Sequence, residues 1–320
     1  DSTDVLAMAH LRSARQDIAT NNLQAPMEDL SFEAIWSGGH IDFQQYIRRQ
    51  GTDNYANLLG EVEFLSDSTL VRFQPSNLQV LDQSWQFTPQ NQILLSNGDV
   101  IFNQFKLYSE TDGLRQEVSA LGTLSANPDK QLTMRINRFQ VANLNPLLKE
   151  AYAGEVNGFI DLKGVLPNPA DTLQNLILDS EIAINNFAIN EFEVGNIISL
   201  TDWNNQKKNL NLNLMVNRDG QRVISVVGDF DPKQKEDQLD LKATLQDASI
   251  NVIEPYVDEF FTELAGNVSG SIDITGRLNY PILRGEGTVA DGHIRINYLN
   301  TDYDLNGGVF FDANTIGVRD

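Results

Sequence analysis

Apolar and polar residues alternate with period two along most of the chain after residue 60. That period sends successive side chains to opposite faces of a β-sheet, so each such run reads as a strand with one apolar and one polar face. Leu132, Met134 and Ile136 alternate with Thr133, Arg135 and Asn137. Leu210, Leu212 and Leu214 alternate with Asn211 and Asn213, and Leu239, Leu241, Ala243 and Leu245 alternate with Asp240, Lys242 and Thr244. The same spacing places Val156, Ile160 and Leu162, then Leu176, Leu178, Ile182 and Ile184, then Val268, Ile272 and Ile274, and finally Ile294, Ile296 and Tyr298. Asn97-Gly98, Asp112-Gly113, Asp219-Gly220, Asp291-Gly292 and Asn306-Gly307 fall between runs and tolerate the positive φ of tight hairpins, which predicts a largely antiparallel sheet. Pro-bearing turns at Asn127-Pro128, Asn168-Pro169, Asp231-Pro232 and Tyr280-Pro281 mark further strand ends.

Three stretches depart from the alternation. Residues 4–19 read as an amphipathic helix through Val5, Leu6, Met8, Ala9, Leu11 and Ile18. Residues 251–264 carry Val252, Ile253, Tyr256, Val257, Phe260, Phe261 and Leu264 at helical spacing opposite Glu254, Asp258, Glu259 and Glu263. Residues 144–152 repeat this in shorter form with Leu144, Leu147, Leu148 and Tyr152. The likeness extends into a repeat, since Gly154 to Gly164 lies over Gly266 to Gly276 with six identities in eleven. Pro146 pairs with Pro255, Gln131-Leu132 with Gln238-Leu239, and Asp112-Gly113 with Asp219-Gly220 in the same order. The organisation expected is a divergent segment 1–130 with a helix at 4–19, a repeat over 131–237 and a second repeat over 238–320. About 20 strands at ~4.8 Å would make a sheet on the order of 100 Å long.

Composition narrows the function classes. The chain has 320 residues, 23 Lys and Arg against 44 Asp and Glu, and a formal charge of −21, the wrong sign for following phosphates or lying on an anionic bilayer. Nucleic acid is therefore not an expected partner. Hydrophobic residues make up 41%, enough for a folded chain, and the absence of cysteine removes disulfides and thiolate chemistry. No window resembles a membrane span, Asp1 follows no signal-peptide pattern, and the expectation is a segment of something longer.

Catalytic motifs are sparse: His10, His40 and His293 are scattered, and no nucleophile elbow, zinc-protease motif or phosphate loop occurs. No enzymatic activity and no cofactor are expected. Gly285-Glu-Gly287-Thr-Val-Ala290 precedes a strand-like run, which removes the helix N-terminus that pyrophosphate binding needs. Asp302, Asp304, Asn306 and Gly307 match the first half of a calcium loop, but the twelfth position is Ala313, and a polar hairpin explains them without metal.

The stretch Ile250 to Gly276, followed by Pro281-x-Leu283-x-Gly285-x-Gly287 and Tyr298-Leu299-x-Thr301-x-Tyr303, resembles the C-terminal region of the TamB translocation and assembly module family, of the Bacteroidetes type. The resemblance is specific over 239–320 and recurs weakly over 131–190. It implies an AsmA-like, repeating β-groove protein of the periplasm, held in the inner membrane by an N-terminal helix outside this chain. The implied fold is mainly β: an elongated, curved antiparallel sheet forming an open groove, with a few short amphipathic helices. Phospholipids and an outer-membrane insertase-type β-barrel are the implied partners. Leu132, Met134, Ile136, Val156, Ile160, Leu162, Leu210, Leu212, Leu214, Leu239, Leu241, Val268, Ile272, Ile274, Ile294 and Ile296 are then the expected lining of a groove for acyl chains. A scaffold that receives client strands of outer-membrane proteins by β-augmentation is the alternative, and a closed β-sandwich is a third.

Overall fold

In the computed structural model the described residues are 7–19, 24–81, 83–111, 113–148, 150–165, 176–258, 260–313 and 315–319. The fold is mainly β, with twenty-one strands among those residues and every registered pairing antiparallel. The chain divides into two compact units, residues 1–177 and 178–320.

The first unit starts with β1 (Ala7–Ala19), β2 (Gln24–Ser37), β3 (His40–Arg49) and β4 (Tyr55–Phe64), a plain meander. Two broken strands follow. β5 (Ser68–Phe73) and β6 (Asn77–Val80) both pair with β4, and β7 (Gln83–Phe87) and β8 (Gln92–Ser96) both pair with β9 (Asp99–Thr111). The interruptions fall at Pro75 and Pro89, which have no N–H to give to a ladder. Two buried polar side chains bridge the gaps. The Ser76 hydroxyl accepts the Leu59 N–H at 3.0 Å and donates to the Gln74 carbonyl at 2.8 Å. The Asn91 amide takes both backbone groups of Phe73 at 2.9 Å, replacing a peptide unit of the ladder. The meander resumes with β10 (Leu114–Leu124), β11 (Gln131–Gln140), the 3₁₀ helix Val141–Leu147 and β12 (Tyr152–Lys163).

That 3₁₀ helix reports the curvature of this unit. It packs on β12 and also on β2, eight strand-steps away through the pairing order. A flat sheet would separate those strands by roughly 38 Å, whereas seven 3₁₀ residues span about 14 Å, so the sheet curls until its distant strands meet one helix. Asn143 donates to Gln116 Oε1 at 2.9 Å, which seats the helix on the apolar face.

The second unit is a meander of β13 (Ile177–Ile189), β14 (Phe192–Asn204), β15 (Asn209–Arg218), β16 (Gln221–Phe230) and β17 (Leu239–Ser249). Helical turns Ile250–Ile253 and Glu254–Val257 lead into β18 (Phe261–Arg277), β19 (Tyr280–Ile296), β20 (Thr301–Ala313) and β21 (Thr315–Arg319).

Several expectations need correction. Residues 7–19 are strand β1, paired along their length with β2, because a short isolated helix is marginal in water and a free ladder edge is available; residues 4–6 lie outside the described ones. The helix expected over 251–264 ends at Val257, and the chain from Phe261 is strand. Glu254 explains the change: its carboxylate accepts the Glu263 and Leu264 N–H groups at 3.2 and 3.0 Å, anchoring the start of β18. The helix expected over 144–152 occupies 141–147, and the Asn145 amide exchanges two hydrogen bonds with Tyr152 to close the loop. Asn97-Gly98 and Asp219-Gly220 turn hairpins as expected, with positive φ at all four residues. Asp291-Gly292 and Asn306-Gly307 instead lie inside β19 and β20. Asn168-Pro169 lies outside the described residues.

Candidate functional site

Residues directly opposite each other in an antiparallel pair point to the same side, so register shows whether one-sided strands build one apolar face. In the second unit they do. Leu210, Leu212 and Leu214 lie opposite Phe230, Gly228 and Val226, which lie opposite Leu239, Leu241 and Ala243. Leu241 and Ala243 in turn face Ile274 and Ile272, and these face Leu283 and Gly285. In the first unit Leu132, Met134 and Ile136 lie opposite Leu162, Ile160 and Gly158, with Phe139 opposite Val156.

Alternation alone would lose this face, because parity changes partway along several strands. β-Bulges restore it. At Arg138, Asn186, Asp247 and Asp291 the backbone adopts φ between 50° and 53°, one extra residue is inserted, and the next apolar side chain returns to the apolar side. Past Asp291, Ile294 and Ile296 thus rejoin the row that holds Val289, and Val268 keeps step with Ile272. The neighbouring strand satisfies each displaced amide: Asn157 Oδ1 accepts Arg138 N–H at 2.8 Å, Asn196 Oδ1 accepts Asn186 N–H at 2.9 Å, Ser269 Oγ accepts Asp247 N–H at 2.9 Å and Asn306 Oδ1 accepts Asp291 N–H at 2.7 Å. Asn157 and Ser269 are equivalent positions of the sequence repeat, so the repeat encodes a capped bulge beside a short helix.

The face is incompletely hidden. Leu132, Leu210, Leu239 and the small Ala243 are buried, but the larger side chains Met134, Ile136, Ile160, Leu162, Leu212, Leu214, Leu241, Ile272 and Ile274 are only half-buried. Facing sheets of a sandwich would bury the large side chains at the centre of the row as fully as those at its ends. Among the described residues, fourteen hydrophobic residues are buried while twenty-three large ones are exposed, so packing between strands uses up only part of the apolar surface. A short helix closes one end of the face in each unit: Val252 meets Phe192, Val194 and Ile224 around a small cavity in the second, and Pro146 and Leu147 cover the first. Protein-family models, curated proteins and solved structures yield no match to this chain.

Some lining residues escape the alternation. Phe102, Phe105 and Leu107 join the face through the bulge at Gln104, and Phe73, Phe87 and Phe105 form an aromatic cluster at the broken strands, with Phe73 and Phe87 stacked at 4.6 Å. Their parity is split across the bulge, but the spacing of three between Phe102 and Phe105 was a usable signal.

The opposite face is polar and cross-paired. Arg72 bridges Glu61 and Glu63 at 2.7 and 3.3 Å, and Lys207 meets Asp229 at 2.8 Å. Asp302 and Asp304, the first ligands of the calcium-loop pattern, lie on the extended strand β20. Asp302 meets Arg295 at 2.8 Å and Asp304 meets His293 at 2.9 Å. The hydrogen bond that the His293 ring donates to the Asp304 carboxylate raises the His293 pKa above 6.5, against some desolvation. Glu263, His293 and Asp302 approach closely enough to share an ion, but Arg295 already bridges the two carboxylates.

Proposed function

We propose that this chain carries phospholipid acyl chains along its apolar face as part of a periplasmic protein linking the inner and outer membranes. The observation that carries this reading is the in-phase apolar row whose large central side chains stay half-buried, maintained by bulges where strand parity would break it. Each methylene moved from water onto such a surface contributes about 0.8 kcal/mol without directional bonds, so a chain is held along its length and still slides. The periplasmic setting, the inner-membrane anchor and an outer-membrane insertase-type β-barrel partner follow the family resemblance and belong to the same proposal, as does the absence of catalysis.

Native mass spectrometry with lipid extraction on the chain purified from a bacterial envelope tests it. Bound phospholipid that disappears in a folded Ile272→Asp variant supports the reading, and a soluble, lipid-free wild-type chain sinks it. A second reading, β-augmentation by client strands, draws on β1, which among the described residues pairs only with β2. Crosslinks to outer-membrane β-barrel clients concentrated on that strand would favour it.

A further inference from the structure

The helix-capped end of the first unit holds a cavity of about 140 Å³, lined by Met27, Ile47, Leu78, Pro146 and Leu147 together with Arg49. Its neighbour Arg48 points to the polar side and is neutralised by Glu28 and Asp29 at 2.9 and 3.0 Å. Arg49 lies opposite Met27, two residues beyond Ile47 on the apolar side. Arg49 is half-buried, and its guanidinium has no carboxylate or hydrogen-bond partner among the described residues. Arg12, Arg135 and Arg222 also have no carboxylate partner among the described residues but are exposed, whereas Arg49 is half-buried and lines an apolar cavity. A guanidinium presents a planar fork of donors that matches a carboxylate with two parallel bonds. The cavity matches in size an apolar cavity of about 150 Å³ that accepts benzene, so it takes roughly six carbons.

We propose that this corner is a binding site for a single-chain anionic amphiphile, with a fatty-acid carboxylate on the Arg49 guanidinium and the first carbons of its chain in the cavity. The remaining chain continues along the apolar side past Leu58 toward the Phe73 and Phe87 stack, on which Ile47 and Ala56 share a row with Leu78. This inference rests on the acyl-chain reading and adds a headgroup class and a fixed station to it.

Calorimetric titration of the 320-residue chain with decanoate, and separately with decanol, tests the site in wild type, Arg49→Gln and the cavity-filling variant Ala56→Trp. Arg49→Gln is expected to weaken decanoate roughly 10- to 100-fold, the range for a lost charged hydrogen bond, and to leave decanol within about twofold. Ala56→Trp is expected to weaken both, with circular dichroism reporting that each variant is folded. Equal decanoate affinity in wild type and Arg49→Gln overturns the site. Absence of decanoate binding in a chain that still co-purifies with phospholipid overturns the site alone, whereas absence of both overturns it together with the acyl-chain reading.

Discussion

Two aspartates placed on the same apolar row separate a lined trough from a closed core. Leu239 is 7% exposed and lies between Phe230 and Gly276. Leu239→Asp forfeits a full leucine burial of roughly 1.5–3 kcal/mol and strands a carboxylate in an apolar site, so a loss of about 4 kcal/mol or more is expected. Typical domains have about 5–15 kcal/mol in total, so the variant should lose much of its cooperative unfolding transition. Ile272 sits on the same row, opposite Ala243 and Gly285, but is half-buried. Its replacement by Asp forfeits roughly half the transfer term, about 1 kcal/mol, and the carboxylate reaches water through the uncovered side. A further ~1 kcal/mol reflects the poorer strand propensity of aspartate.

Urea unfolding followed by far-ultraviolet circular dichroism measures both costs, and native mass spectrometry measures retained lipid on the same samples. Ile272→Asp should stay within about 2 kcal/mol of wild type and lose its lipid. A penalty for Ile272→Asp equal to that for Leu239→Asp would mean protein already covers the face, and undiminished lipid in a folded Ile272→Asp would mean the row does not line the path. Either result refutes the reasoning from partial burial.

Gly228 has φ 148°, and a Cβ there would lie 2.1 Å from the Asp240 carbonyl oxygen, so Gly228→Ala should lower stability by about 1–3 kcal/mol in the same urea assay. Removing the bulge caps by Asn157→Ala or Ser269→Ala should each cost about 1 kcal/mol, with faster hydrogen exchange at the Arg138 and Asp247 amides while distant strands stay protected. His293 titrates above 6.5 because its ring is hydrogen-bonded to Asp304. A raised folded value makes that contribution complete below the unfolded pKa near 6.5 and removes it as pH climbs through the folded one. Proton NMR should therefore show the His293 midpoint fall in Asp304→Asn, and an unchanged midpoint would dismiss the pair.

The one-sided strands were readable because alternation survives wherever a strand runs unbroken, as at Leu210 to Leu214 and Leu239 to Leu245. The Pro-broken pair β5/β6 and β7/β8 was not readable, since each half is only four to six residues long and its partner is set by distant pairing. Nor was the Arg49 corner, which depends on a helix about a hundred residues away in sequence meeting β2 and β3. The mistaken turns at Asp291 and Asn306 have a definite cause: residues that tolerate positive φ serve equally in a hairpin and in a bulge. Only the partner strand decides between them.

The bulges also account for the overextended helix. Inserting one residue into a strand converts the period-two spacing of its apolar face into a single step of three, and three is a helical spacing. Ile136 and Phe139, Ile184 and Phe187, Leu245 and Ala248, and Val289 and Gly292 are such steps, each with its left-handed residue directly before the second member. Phe261 and Leu264 straddle Glu263 at φ 54° in the same manner, and their spacing made the start of β18 resemble the end of a helix. A step of three between two alternating runs, with Asn, Asp, Glu or Arg at its third position and Asn or Ser available on the next strand, is therefore a sequence signature for a bulge that keeps one face apolar. The bulge at Asp291 corrects a change of parity that would otherwise turn Ile294 and Ile296 onto the polar side, and the bulges at Arg138, Asn186 and Asp247 do the same on their own strands, so within each unit the apolar face is kept in phase at the expense of regular ladders.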